Sequence, residues 1–242
     1  MTTSVVLVHG AWHGAWCFEP VLAELEAAGI DAIAVDLPGH GDDAGPLGDL
    51  HDDAARVREV LDGLDGECVL LGHSYGGAVI TEAGVHPAVR HLVYLAAFAI
   101  DAEESCMAAA VAESEALDLS YAGRPNLGDA IVVQPDGTMT LDRTMAAQFL
   151  FNDCDEQTTA GALARLGPQP VVTLADTPTA VAWRQRPSTY VVCTDDLAVH
   201  PELQRVMARR CTTSVDWPTS HSPFLSAPER FVGLLSDLVK GP

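Results

Sequence analysis

The sequence predicts an α/β protein, a mostly parallel central sheet flanked by helices. Three observations carry that expectation. Short apolar runs rich in β-branched residues recur, as in Ser4-Val-Val-Leu-Val-His9 and Glu67-Cys-Val-Leu-Leu-Gly72. Runs of this kind read as strands buried on both faces. Segments with helical apolar spacing alternate with them, and glycine or proline marks the turns between, as in Pro38-Gly39-His40-Gly41.

Taken in order, residues 4–9 form a first strand, and Trp16 to Ala28 a helix that stops at Gly29, a helix C-terminal signal. Asp31 to Leu37 is a second strand and Leu50 to Leu61 a helix. Glu67 to Gly72 is a third strand, Tyr75 to Val85 a helix rich in small residues, and Val89 to Leu95 a fourth strand. From about Asp101 to Arg186 the pattern changes. Asp101 and Glu104 form a D-x-x-E capping signal for a helix running to about Leu117. Ile131 to Val133 and Thr138 to Leu141 flank Gln134-Pro135-Asp136-Gly137 and predict a hairpin. Two helices start near Asp142 and Asp155. Strands resume at Ser188 to Thr194 and Ser214 to Trp217, and Ala227 to Val239 is a closing helix. The expectation is therefore one domain over residues 1–242, with a helical cap inserted at about 101–186.

The formal net charge is −21, and Lys240 is the only lysine. Such a surface repels nucleic acid and offers little counter-charge to a polyphosphate, so a neutral, largely apolar small molecule is the expected partner. The six cysteines form no C-x-x-C pair and no metal-ligand spacing. No apolar run approaches the ~20 residues that span a bilayer, and no signal-peptide pattern opens the chain. These features predict a soluble, cytoplasmic protein with no metal, no cofactor and no membrane partner; association into a homodimer is left open.

Gly72-His73-Ser74-Tyr75-Gly76 fits G-x-S-x-G. The pattern alone is weak, but here an apolar strand runs into it and a helix opens after it. In that setting the serine sits on a strained turn and can act as a nucleophile. A serine hydroxyl needs a base. Among nine histidines, His221 in Thr219-Ser220-His221-Ser222-Pro223 lies between the last strand and the last helix, where such a base belongs. His73, adjacent to Ser74, is expected to point away from it and pack beside the turn. The third member of a triad follows the preceding strand, where Asp195 and Asp196 stand side by side; either could orient the imidazole. The Tyr75 N–H, at a helix start, and the Ala11 N–H, in the loop after the first strand, are the candidate oxyanion donors. That loop also invites a dinucleotide-binding reading, but Gly10 and Gly14 are spaced G-x-x-x-G and G-x-G-x-x-G is absent. Trp12, Met107, Met145, Phe149, Phe151 and Trp183 are candidate pocket-lining residues, each equally suited to an ordinary core.

These motifs, with Val-Leu-Val-His-Gly-Ala-Trp-His-Gly-Ala-Trp, Asp36-Leu-Pro-Gly-His-Gly41, Ser-His-Ser-Pro-Phe and Phe151-Asn-Asp-Cys-Asp155, resemble the plant methylesterase and hydroxynitrile-lyase branch of the α/β-hydrolases. The resemblance spans nearly the whole chain. It implies the α/β-hydrolase fold, a Ser74–His221–Asp196 triad and oxyanion donors at Ala11 and Tyr75. It also implies hydrolysis of carboxylic esters without a cofactor. Lyases of that branch carry a threonine after the first-strand histidine and a lysine after the catalytic histidine. Gly10 and Ser222 stand there in this sequence, so it resembles the esterases. A hydroxynitrile lyase and a ligand-binding protein on a hydrolase scaffold remain the alternatives.

Overall fold

The computed structural model describes residues 3–116 and 126–241. The chain opens with β1 (Thr3–Val8), passes a 3-10 turn (Ala15–Phe18) into α1 (Glu19–Ala27), and returns through β2 (Ala32–Val35). It continues as α2 (Leu50–Asp62), β3 (Glu67–His73), α3 (Gly76–Ala83) and β4 (Val89–Leu95). A long excursion then holds α4 (Cys106–Ala116), α5 (Leu127–Ala130), β5 (Ile131–Val133), β6 (Thr138–Leu141), α6 (Arg143–Leu150) and α7 (Glu156–Arg165). It ends with β7 (Gln169–Pro170), α8 (Val172–Ala175) and a 3-10 turn (Ala182–Arg184). The chain finishes as β8 (Ser188–Cys193), α9 (Pro201–Ala208), β9 (Thr213–Trp217), α10 (Pro223–Ser226) and α11 (Pro228–Lys240).

The central sheet has the order β2-β1-β3-β4-β8-β9, every neighbouring pair parallel. Alternation along the strands divides the core. Val6, Val8 and Leu70 face α2 and α3 through Val57 and Ala78, while Val5, Leu7, Val69 and Leu71 face α1 and α11 through Leu25, Phe231 and Leu235. Fully burying each such side chain contributes about 1.5–3 kcal/mol. Strand order reverses at β1, which lies between β2 and β3, with Val8 opposite Gly72. The loops that follow β1 and β3 therefore emerge side by side, and α/β sheets bind ligands in the crevice at such a reversal.

Two expectations about the excursion need correction. Asp101 and Glu104 do not cap a helix. The Glu104 carboxylate accepts the Asp101 N–H at 2.8 Å and pairs with Arg210, and Glu103 takes a positive φ of 62°. The helix begins after Ser105, whose hydroxyl accepts the Ala108 N–H at 3.1 Å; its expected end at Leu117 lies outside the described residues. The predicted hairpin is present, but it gains a third strand, β7, against β6. Asp142 and Asp155 do cap α6 and α7, accepting the N–H of Met145 at 2.9 Å and of Thr158 at 2.7 Å. Helix α9 escaped the sequence reading altogether. Among the described residues no helix is long and apolar enough to cross a membrane.

Candidate active site

Ser74 stands at the end of β3 with φ +52°, a left-handed conformation that costs a non-glycine residue about 1–3 kcal/mol. The surroundings enforce it. Its N–H donates to Leu95 O at 3.1 Å, and its carbonyl accepts from Gly77 N at 3.0 Å and Phe98 N at 3.1 Å. The flanking glycines are required by close backbone approach: a Cβ on Gly72 would lie 2.3 Å from Gly76 O, and one on Gly76 would lie 2.6 Å from Val8 O. Strand, turn and helix are thus wedged together with only the serine side chain presented outward.

His221, 1% exposed, follows β9, and its Nδ1 lies 2.7 Å from Asp196 Oδ2. Asp196 is buried and receives three further donors. Oδ1 accepts from the N–H of Ala198 at 2.7 Å and of Val199 at 3.0 Å, and Oδ2 accepts from Gln204 Nε2 at 2.8 Å. A carboxylate held in this way is a fixed acceptor for an imidazole N–H. Asp195 is exposed and contributes through its backbone, donating to Thr219 O at 3.0 Å and accepting from Asn152 Nδ2 at 3.2 Å. His73 lies where the sequence placed it, beside the turn. Its ring packs 4.6 Å from that of His221, and its Nε2–H donates to the His221 carbonyl at 2.9 Å. Burial holds its pKa well below the usual imidazole value, so it is a neutral prop for the loop.

Ala11 and Tyr75 flank the serine, on the β1 loop and at the start of α3. Among the described residues no backbone or side-chain acceptor engages the N–H of either. Both residues line, with Ser74, a cavity of about 470 Å³. Trp12 and Met107 line it, together with Phe98, Leu127, Ile131, Leu174 and Leu203. Asn126 and His200 bring polar groups, and no lysine, arginine, aspartate or glutamate is among its described walls. A second cavity of about 450 Å³, bordered by His13, Trp16, Asp36, His40 and Arg165, includes neither Ser74 nor Tyr75.

Four proposed lining residues fall elsewhere. Phe149 and Phe151 are buried, and Phe151 packs in the core beneath α6, with its ring 5.9 Å from that of His13. Met145 lies half-exposed on α6. The Trp183 indole donates to Ile100 O at 2.9 Å and packs on the α3 side of the sheet. Large apolar type does not say which face of an element meets a cavity.

Sequence reasoning missed three polar residues that hold the site. Gln204, on α9, ties Asp196 to β8 by accepting the Cys193 N–H at 2.9 Å. Its helix carried a readable signal, Pro201 at the first position with Glu202 and apolar Leu203, Val206 and Met207 behind it. Asn152 and Asp153, between α6 and α7, clasp the two loops from outside. Asp153 accepts the Ser220 N–H at 2.8 Å and the Ser220 hydroxyl, next to His221, while Asn152 bonds the Asp195 carbonyl.

Behind Tyr75 lies a buried acid. The Tyr75 hydroxyl donates to Asp53 Oδ2 at 2.5 Å, while Asp53 Oδ1 has no partner. Burial pushes the Asp53 carboxyl up from 3.8 to about 7. The folded state thus binds the extra proton between those limits, so Asp53 costs nothing below pH 3.8, and its cost grows as pH rises to about 7. The upper bound is about 4 kcal/mol. Asp53→Asn, which keeps an acceptor for Tyr75, is expected to raise Tm at pH 8 and to lose most of that advantage at pH 4.5. Equal Tm gains at both pH values in thermal melts would contradict this.

The alpha/beta hydrolase family profile matches residues 5–234. An alpha/beta hydrolase of Aspergillus novofumigatus is 28% identical over 252 aligned positions, covering 96% of this chain and 94% of its own. Methylesterase 7 of Arabidopsis thaliana is 30% identical over 257 positions, covering 96% and 95%. The crystal structure of a pyrethroid hydrolase from Sphingobium faniae superposes with a TM-score of 0.82 at 26% identity, covering 100% of this chain and 99% of that one. The chain belongs to the alpha/beta hydrolase family, in its methylesterase branch. Its named relatives are esterases and hydrolases, which makes it an enzyme of carboxylesterase type.

Proposed function

We propose that the protein hydrolyses neutral, largely apolar carboxylic esters through an acyl-enzyme on Ser74. The observation that carries this reading is the 2.7 Å contact between His221 Nδ1 and a fourfold-bonded Asp196, beside a serine held at positive φ. With Nδ1 committed to Asp196, Nε2 of His221 is the nitrogen left to take the Ser74 proton. As Ser74 Oγ bonds to the ester carbonyl carbon, negative charge moves to the carbonyl oxygen, where the N–H groups of Ala11 and Tyr75 meet it. His221 returns its proton to the departing alkoxide. Water, deprotonated by the same imidazole, then attacks the acyl-enzyme and releases the acid and Ser74. Asp196 fixes the ring and stabilises the imidazolium. The insertion at 101–186 serves as the cap of a single α/β-hydrolase domain, and its apolar wall receives the substrate.

The described wall around Ser74, which holds no lysine, arginine, aspartate or glutamate, supports a neutral substrate, since an unpaired carboxylate would lose hydration against it. Relatives named pyrethroid hydrolase and methylesterase fit the same class. Cyanohydrin cleavage would profit from a fixed cation beside the departing cyanide, yet Lys240 sits exposed at the far end of α11. The test is kcat/KM across p-nitrophenyl acetate, butyrate and hexanoate, with p-nitrophenyl hemisuccinate and mandelonitrile alongside. Efficiency should rise by up to about fourfold per added methylene, each worth about 0.8 kcal/mol on burial. The hemisuccinate and mandelonitrile should fall well below the acetate. A preference for mandelonitrile that disappears in Ser74→Ala would reverse the reaction class.

A further inference from the structure

Ala11 and Trp12 are held both from within the β1 loop and from outside it. The Ala11 carbonyl accepts from His13 Nδ1 at 2.8 Å, and burial lowers the His13 pKa to about 4, leaving a neutral ring to make that bond. The next residue, Trp12, is buried in a left-handed conformation with φ +64°, which L side chains rarely adopt. Three bonds keep it there, and all come from the excursion between β4 and β8. The Trp12 N–H donates to Gln169 Oε1 at 3.2 Å, its indole N–H donates to Met139 O at 3.1 Å, and its carbonyl accepts from Gly167 N at 2.8 Å.

Gln169 is fully buried on β7. Its Oε1 also lies 3.0 Å from His40 Nε2, which donates to it in the Nε2–H tautomer, and its amide NH2 donates to Thr173 Oγ1 at 2.9 Å. Thr173 in turn donates to Pro170 O at 2.7 Å. These partners fix which way the amide faces, with its oxygen toward Trp12. They also give a task to His40, from the Pro38-Gly39-His40-Gly41 turn, which the ester chemistry leaves unused.

We propose that Gln169, braced by His40 and Thr173, is a positioning residue that sets the Ala11–Trp12 peptide and with it the Ala11 side of the oxyanion hole. The proposal rests on the serine-hydrolase reading above. The Ala11–Trp12 peptide is pinned at its oxygen by His13 and at its N–H by Gln169. Without Oε1 a buried N–H loses its acceptor and the strained Trp12 conformation loses a restraint. Trp12 then relaxes toward negative φ, Ala11 shifts with it, and the preceding Gly10–Ala11 peptide turns so that the Ala11 N–H leaves the developing oxyanion. Ester binding to the apolar wall does not depend on that N–H, so the loss falls on kcat.

Gln169→Met keeps the side-chain length and removes the acceptor. For p-nitrophenyl butyrate, kcat is expected to fall about 10- to 100-fold, because a whole oxyanion donor is worth about 10²–10³, with KM within about threefold. The affinity of an alkyl trifluoromethyl ketone, whose Ser74 adduct carries the oxyanion, should fall by a similar factor. Gln169→Glu, which retains an acceptor oxygen, should recover most of kcat. A Gln169→Met enzyme with wild-type kcat, or one with lowered kcat but unchanged ketone affinity, would overturn the proposal. If that variant does not fold, Thr173→Val decides. Freeing the amide to turn should cost at least about threefold in kcat at constant KM, and an unchanged kcat counts against the role. Activity surviving in Ser74→Ala would instead sink the parent reading. A dead Ser74→Ala beside fully active Gln169 variants would remove only the positioning role.

Discussion

Ser74→Ala is expected to lower kcat for p-nitrophenyl butyrate by about 10⁴- to 10⁶-fold while leaving the fold in place. The size follows from the mechanism, since without Oγ no acyl-enzyme can form and His221 has no proton to take. What remains is the background that a binding pocket and two N–H groups give to attack by water. The fold is insulated because the backbone bonds to Leu95, Gly77 and Phe98 hold the turn, and the side chain contributes none of them. Alanine is no worse than serine at φ +52°. Tm should therefore stay within a few degrees, and residual activity above about one part in 10³ would mean that another group performs the chemistry.

The second large effect separates two adjacent acids. Asp196→Asn is expected to cost about 10⁴ in kcat, and Asp195→Asn less than about threefold. Asn at 196 can still accept the N–H groups of Ala198 and Val199, but its amide NH2 must then face Gln204 Nε2 and His221 Nδ1. Two donors confront a donor, which drives His221 toward the tautomer that cannot accept the Ser74 proton. At Asp195 the bonds to Thr219 and Asn152 are made by the backbone, so the exposed carboxylate can be replaced freely. Steady-state kinetics on the two variants decides the matter, and comparable losses in both would show that the orienting role is shared.

Much of this was legible in the residues because it is local. The strands announced themselves as β-branched runs, and Asp142 and Asp155 marked two helix starts by the side-chain bonds that aspartate makes there. Ser74 was legible because strand, glycine-flanked serine and helix are contiguous, and His221 because its loop has a fixed place in the chain order. Asp101 and Glu104 misled for the opposite reason. Their spacing fits a cap, but Glu104 pairs with Arg210, more than a hundred residues away. Gln169, Gln204, Asn152 and Asp153 were illegible in the same sense. Gln169 and Gln204 sit on short elements and Asn152 and Asp153 in the turn between two helices, and each is given meaning only by a partner that folding brings to it. Phe149, Phe151, Met145 and Trp183 show the limit for apolar residues, since side-chain type predicts burial and says nothing of which cavity or core receives it.

The central claim is that Ser74 is the nucleophile, and the most direct measurement is covalent. The protein is treated with a fluorophosphonate, digested and mapped by mass spectrometry, with activity followed in parallel. The account predicts one adduct per chain, on the Gly72–Gly76 peptide at Ser74, with loss of ester hydrolysis proportional to labelling and no adduct in Ser74→Ala. Full labelling at another residue, or hydrolysis that persists after Ser74 is fully modified, would contradict it.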